Sequence, residues 1–345
     1  MKIISTITTG LAALVLVVGA AVFGAPQQVS ALYDADVLCT VFDTNECAID
    51  AVDIGGISGR IIFTIGGGHA TLTAHDNFQG DLNIPSSIVF SDDSNTYEVT
   101  GIGNNVFLAN TNLGDVTVPN TIEQIGESAF QGSSIGELTF QSGGTEELVI
   151  LPQAFYNSWA SGTIAFPSRL AEIQSDAFGN TAIDGITFEN GGSSALTIGS
   201  TAFYGAVVLT GSVTFPANLS ALGDNAFANT GITDVYFLGL DGAAISVTAA
   251  GAAEPTFESS VLIHYLCNAV NFLDFDGVGT GTWNGYAVVP IAACVTPDDS
   301  IKAPSSGVSA GGTTDQSTSS IVVTVVAALA LAGAVLAGRK LVFKK

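Results

Sequence analysis

Between residues 98 and 240 the apolar positions keep returning in one arrangement. An aliphatic residue is followed five positions later by Phe: Ile102 with Phe107, Ile125 with Phe130, Ile150 with Phe155, Ile173 with Phe178, Ile198 with Phe203 and Leu222 with Phe227. Ala precedes the Phe at Ala129, Ala154, Ala177, Ala202 and Ala226, and Val106 takes its place in the first copy. The intervals from Phe to Phe are 23, 25, 23, 25 and 24 residues. A period of about 20 to 29 residues is that of leucine-rich-repeat solenoids. One such coil cannot bury its own apolar side, so the spacing predicts six stacked coils with the Phe side chains forming a ladder inside them.

A second period is laid over the first. Val118-Pro119, Phe166-Pro167 and Phe215-Pro216 recur every 48 or 49 residues, and Phe140-Gln-Ser-Gly-Gly is echoed by Phe188-Glu-Asn-Gly-Gly. Two kinds of turn therefore alternate. Short runs in which apolar and polar residues alternate, such as Leu138-Thr139-Phe140, Ile186-Thr187-Phe188 and Val235-Tyr236-Phe237, have the period of a half-buried strand. Their middle residues are expected to face outward. Thr117, Thr139, Thr187, Thr214 and Tyr236 are therefore the candidate binding face, with Tyr236 as the anchor, because exposed aromatics carry a large share of contact energy.

The repeated Ile125-Gly126-Glu127-Ser128-Ala129-Phe130 pattern, with Val-Thr-Val-Pro at 116–119, resembles the BspA-like leucine-rich repeats of bacterial surface proteins. The lead-in, from Phe63 through Gly80-Asp-Leu-Asn-Ile-Pro85 and Tyr97 to Gly103, is similar to that family's first unit, and Leu262 to Ile291 with Trp283-Asn-Gly-Tyr286 to its last. The expected fold is a β-rich solenoid of right-handed, leucine-rich-repeat-like coils of about 24 residues. Capping segments at 32–97 and 241–300 would flank a six-coil array at 98–240. The resemblance implies a cell-surface protein that contacts host matrix or other cells, and it names no partner.

The chain ends carry a different signal. Residues 1–31 combine Lys2, an apolar run from Leu11 to Phe23, Pro26 and the small-residue site Val29-Ser30-Ala31, which reads as a secretory signal peptide, with an uncleaved membrane helix as the alternative. Ile321 to Gly338 is an uncharged stretch about 27 Å long as a helix, enough to span a bilayer core. The basic tail 339–345 places its end in the cytoplasm and the main domain outside. Residues 301–320, rich in Ser, Thr and Gly, read as a flexible stalk. Within the stalk, Lys302-Ala303-Pro304-Ser305-Ser306-Gly307 reads first as an ordinary Pro/Ser linker, and as the alternative it resembles a degenerate sortase signal, with cleavage after Ser306.

Charge narrows the partners. The 345 residues carry a formal net charge of −23, but residues 32–320 hold only Arg60, Arg169 and Lys302 against all 31 acids, a balance of −28. No basic patch for nucleic acid can be assembled from that. Cys39, Cys47, Cys267 and Cys294 are expected to form two disulfides in an exported chain, paired as Cys39 with Cys47 and Cys267 with Cys294, and a zinc site is the alternative. His69, His75 and His264 read as surface histidines, because no nucleophile motif accompanies them. Asp274-Phe-Asp276-Gly277 lacks the third acid and closing Glu of a calcium loop, Asp92-Asp93 and Glu146-Glu147 fall in turn-rich stretches, and Gly66-Gly67-Gly68 reads as a tight turn. The expectation is a non-enzyme without a cofactor or metal, whose partner is a protein or surface ligand. A passive coat protein and a surface enzyme acting on glycan or peptide are the alternatives.

Overall fold

In a computed structural model of the chain, the described residues are 37–43, 45–51, 55–91, 95–239, 241–249, 252–266 and 282–290. The segments expected to be signal peptide, stalk, anchor and tail, the pair Cys267 and Cys294, Ser306, Asp92-Asp93 and residues 274–277 all lie outside them. Among the described residues no helix is long and apolar enough to cross a membrane.

The chain opens as an antiparallel meander of β1 (Val37–Asp43), β2 (Glu46–Asp50), β3 (Gly56–Gly66) and β4 (His69–Asn83). Gly67 and Gly68 make the tight turn between β3 and β4. A buried disulfide joins Cys39 to Cys47 across β1 and β2, with the Cα atoms 5.4 Å apart. β5 (Ser87–Phe90) runs parallel to β1 and antiparallel to β6 (Thr96–Ile102).

From here strands alternate between two parallel rows: β7 (Leu113–Val118), β8 (Gln124–Ile125), β9 (Leu138–Phe140), β10 (Leu148–Ile150), β11 (Ser161–Phe166), β12 (Leu170–Ile173), β13 (Ala182–Phe188), β14 (Leu196–Ile198), β15 (Thr210–Phe215), β16 (Leu219–Leu222) and β17 (Gly231–Phe237). β6 and the even-numbered strands form one row, in which Ile102, Ile125, Ile150, Ile173, Ile198 and Leu222 stand side by side. The odd-numbered strands form the other. β18 (Leu262–Tyr265) adds in parallel to β17. A hairpin of β19 (Thr282–Trp283) and β20 (Tyr286–Pro290) then places β20 beside β18. Each coil is thus one strand from each row, the β-solenoid of about 24 residues that the period predicts.

The long strand β4 takes part in both rows. Its first half pairs with β6, Leu72 beside Ile102, and its second half pairs with β7, Leu82 beside Val116. It covers the first coil as a coil would, and the exposed edge that a stack otherwise presents is closed by the meander behind it.

Inside, the Phe series stacks as expected. Ring centroids from Phe107 through Phe130, Phe155, Phe178, Phe203 and Phe227 lie 5.1, 5.1, 4.9, 5.3 and 5.0 Å apart, with planes within 12° of parallel. The rise of about 4.8 Å between neighbouring strands sets this spacing. The ladder continues past the sixth rung, because Phe257 stacks on Phe227 at 5.4 Å and meets Tyr286 edge-on. The interval to Phe257 is longer because the chain makes a 3-10 turn at Gly242–Ala244 first, so the added residues leave the rung in place. A second ladder runs along the ends of the odd strands, from Phe140 through Phe166, Phe188 and Phe215 to Phe237, at 5.6, 5.3, 5.5 and 5.6 Å. The two ladders touch edge-on at Phe166–Phe178 and Phe215–Phe227.

The backbone around each Phe is repeated as strictly as the ring. The residues two before and two after it have positive φ in every one of the six coils, for example Asn105 and Ala109, Gln153 and Asn157, Asp176 and Asn180. This turns three N–H groups per corner toward the next coil: Asn105, Phe107 and Ala109 donate to the carbonyls of Glu127, Ala129 and Gln131 at 3.0, 2.6 and 2.7 Å, and the set recurs coil after coil. The corner is therefore hydrogen-bonded without being a strand.

The double period has a packing cause. A Cβ at Gly144 would lie 2.3 Å from the Asn120 carbonyl oxygen, and one at Gly192 would lie 2.3 Å from that of Ser168. The Gly-Gly turn of one coil nests on the Pro turn of the coil before it, and only Gly permits that approach. Arg169 is buried beneath these turns and donates to the carbonyls of Ile122 at 2.6 Å, Glu146 at 3.3 Å and Pro119 at 3.4 Å. Burial pushes its guanidinium pKa down, partly opposed by Glu123.

Candidate binding face

The odd-numbered strands present one side to the Phe ladders and the other to solvent. Register places the five candidate residues along that outer side. Thr117 pairs with Thr139, Ala165 with Thr187, and Thr214 with Tyr236. The ring contacts Phe140–Phe166 and Phe188–Phe215 join these pairs into one line, because each Phe follows its outward residue. Thr139, Thr187 and Thr214 are exposed, whereas Thr117 and Tyr236 are half-buried. The line includes one position that the Thr pattern does not show, Ala165, and beyond Tyr236 it continues through His264 to Val289.

Beside this line runs a second outward row, with Asp81, Asp115, Glu137, Thr163, Asp184, Ser212 and Asp234. Neither row holds a Lys or Arg. Several of these carboxylates are already engaged: Asp81 Oδ1 accepts the Asp115 N–H at 3.0 Å, and Asp115 Oδ1 accepts the Glu137 N–H at 2.8 Å. Thr163 donates to Asp184 at 2.9 Å. The acids therefore brace the edges of successive coils as well as giving the face its sign.

The rows end on a compact cluster. The Tyr236 and His264 rings stack at 4.2 Å with planes 10° apart. His264 Nε2 lies 2.7 Å from Asp234 Oδ1, and Thr233 donates to Asp234 Oδ2 at 2.7 Å. The hydrogen bond with His264, then that from Thr233, holds the Asp234 carboxyl below the ordinary carboxylate range. Burial, and next the Asp234 charge, pushes the Tyr236 phenol up. Tyr236 thus stays a neutral hydrogen-bonding ring, locked in place by its neighbour.

His264 is therefore no simple surface histidine, and neither is His75, whose ring stacks on Phe107 at 5.0 Å. Strand pairings far apart in sequence put both where they are, and no local pattern announces them. His69 is exposed, as expected. Among the described residues no group of three or more His, Cys, Asp or Glu is placed to hold a metal ion.

A further exposed feature lies at the corners. Trp159 is 72% exposed and Val207 68%, each four residues after its Phe and two coils apart, and Leu108 and Tyr204, each directly after its Phe, are also exposed. The Tyr156 ring lies over Gly179 and its hydroxyl accepts from Asn180 at 3.1 Å.

Residues 78–206 and 144–240 match the family model of the BspA type leucine rich repeat region, with six copies. The repeat array belongs to the BspA-type leucine-rich-repeat family. The matched residues have the leucine-rich-repeat architecture typical of adhesive and protein-binding surface proteins. No curated protein matches the chain.

Solved structures similar to the chain include the pneumococcal vaccine antigen PcpA, 22% identical with a TM-score of 0.40 over 52% of this chain and 48% of the antigen. The chain thus spans about half the length of that protein. A leucine-rich repeat protein from Bacteroides capillosus is 22% identical with a TM-score of 0.27 over 54% of this chain and 99% of its own. A leucine rich cell surface protein from Faecalibacterium prausnitzii is 14% identical with a TM-score of 0.26 over 67% and 92%. These overlaps are too loose to transfer the role of any residue.

Proposed function

We propose that the protein is displayed on a bacterial cell surface and contacts a protein or other surface ligand, on host matrix or on neighbouring cells, through the outward face of its odd-numbered strands. The observation that carries this reading is the continuous line from Thr117 to Val289. It is built of small, mostly hydroxyl-bearing positions and carries the stacked Tyr236–His264 pair near its end. Rigid strands with short outward side chains admit a partner close to the backbone, and the locked aromatic pair supplies the anchor at little entropic cost. The acid row beside it repels anionic surfaces and favours neutral or basic ones.

Display follows from the ends of the chain: export by residues 1–31, a stalk at 301–320, and retention by the helix at 321–338 with the N-terminal domain outside. Cleavage after Ser306 would instead transfer the domain to the cell wall. Mass analysis of the mature termini separates these routes: a C-terminus at Ser306 excludes the retained anchor, and a Lys345 peptide in membranes excludes cleavage. Throughout, Cys267 and Cys294 are taken as the second disulfide, closing the C-terminal cap.

The exposure of Trp159 favours a second reading, in which the corner ridge is the contact surface. Adhesion of cells carrying Tyr236→Ala with Thr139→Ala, Thr187→Ala and Thr214→Ala, compared with cells carrying Trp159→Ser, decides between them. The strand-face reading expects the first set to lose attachment and the second to keep it. Unchanged attachment of both would leave a passive coat protein.

A further inference from the structure

The hydrogen-bond ladder between corners has a first member with no corner before it. In later coils the carbonyls at Glu127, Ala129 and Gln131, or at Pro152, Ala154 and Tyr156, accept from the preceding corner. The equivalent carbonyls of the first corner are those of Asn104, Val106 and Leu108, and no described residue donates to them. β4 completes the ladder of rings by laying His75 on Phe107, but it passes as a bend, with Asn77 at φ 50°, and not as a full corner. What is left is a cavity of about 230 Å³ lined by His75, Asn77, Gln79, Leu108, Asn110 and Asn112 among others.

The chemistry of that lining is unlike the rest of this acidic molecule. None of the lining residues carries a carboxylate, Lys or Arg. The neighbouring Asp76 is partnered by Arg60 at 3.2 Å, outside the cavity, and by the Nδ2 of the lining residue Asn77 at 2.9 Å. Asn110 is held rigidly: its Nδ2 donates to the Phe78 carbonyl at 3.1 Å and its Oδ1 accepts from the Asn112 N–H at 2.9 Å. The Phe78 N–H donates to His75 Nδ1 at 3.4 Å, which leaves the ring proton of neutral His75 on Nε2, and no described residue accepts it. Burial lowers the His75 pKa, with Asp76 opposing, so the ring is neutral near pH 7. Arg60, on the adjacent strand, is the other charged group near it and is held by Asp76.

We propose that this cavity is a binding site for a neutral saccharide and takes about one sugar ring. Amide side chains that both donate and accept, an open histidine N–H and the free Leu108 carbonyl suit a ring of hydroxyl groups. The exposed Leu108 side chain suits the apolar face of such a ring. A cation would find no carboxylate in the lining, and an anionic sugar would meet the field of a domain at −28. The volume is below that of drug-sized pockets, about 300 Å³ and upward, which limits the occupant to a small group. The site lies at the N-terminal end of the array and is independent of the strand face proposed for adhesion.

The test is titration of the mature chain with the methyl glycosides of glucose, galactose, mannose, N-acetylglucosamine and N-acetylgalactosamine, followed through backbone amide resonances. At least one is expected to shift the amides of Asn77, Gln79, Asn110 and Asn112 with a dissociation constant of about 1 mM, while glucuronate and sialic acid leave them unmoved. His75→Phe keeps a ring on Phe107 but removes the N–H, and Asn112→Ala alters an exposed side chain. Each is expected to weaken binding about tenfold or more with the unfolding midpoint little changed, and the second variant reads out even if the first disturbs folding. The proposal is overturned if no glycoside shifts these amides, if the shifts map elsewhere or survive both variants, if the acidic sugars bind equally well, or if a peptide shifts these amides and no glycoside does.

Discussion

At the corners, seven rings from Phe107 to Phe257 stack 4.9 to 5.4 Å apart, and the same three N–H groups bond forward in coil after coil. One strand away, on the outer side of the odd-numbered row, the side chains change from coil to coil: Thr139, then Ala165, Thr187, Thr214, Tyr236 and His264. Both regions are made by the same coils. In the first, each side chain has its counterpart in the next coil as its main neighbour, so a change in one coil is felt by two others. In the second, the neighbour is solvent, and the coil tolerates a different residue each time. A stack of this kind confines repetition to where coils touch and leaves its outer positions free to acquire a ligand.

The sharpest way to break the contrast is to remove a ring. Phe155→Ala, at mid-ladder, is expected to cost about 3–5 kcal/mol in urea unfolding. Phe257→Ala is expected to cost less, because its ring has one stacked neighbour, Phe227, where Phe155 has two. Equal losses would show that the stack does not behave as a chain of nearest neighbours. Next comes the cap: replacing Cys39 and Cys47 together by Ser should remove about 2.5 kcal/mol, and a reductant should destabilise the wild-type chain more than this variant, which keeps only the bond proposed between Cys267 and Cys294.

A smaller change of opposite sign is expected inside a corner. Thr201 is β-branched and held at φ 56°, a conformation costly for such a residue. Thr201→Asn should therefore stabilise by about 1 kcal/mol, and a lower melting temperature in calorimetry would contradict the backbone account of the corner. The smallest effect belongs to the outer face. The pKa of Asp234 is lowered by folding, so its contribution to stability is complete above the unfolded carboxylate pKa of about 3.9 and is lost as pH falls through the lower folded value. The stability difference between wild type and Asp234→Asn should be largest above about pH 4 and vanish in stronger acid, as read from urea midpoints across that range. The group is partly exposed, so the difference is small.

The interval between Phe residues, the outward Thr positions and the Cys39–Cys47 bond could all be read along the chain, since each depends on residue type at a regular or short spacing. The positive-φ positions could not. Asn105, Ser128, Gln153, Asp176, Thr201 and Asn225 are all polar, as turn and strand surfaces also are, so residue type does not single them out; what sets them apart is a backbone shape imposed by the bonds to the next coil. The sequence reads His264 as a surface histidine for a related reason: 28 positions separate it from Tyr236, off the regular interval, and the parallel register of β17 and β18 alone brings the rings together.

The amino-acid pattern settled the period, the coil and its family, because a ladder of identical contacts demands identical residues at constant intervals. It also settled the sign of the charge. Which side chains converge was decided by packing: the seventh rung, the Asp234–His264–Tyr236 cluster, the buried Arg169 and the cavity beside His75. Each of these joins residues from different coils or from the cap, and the distance between such residues depends on how coils stack in space, which no interval along the chain encodes.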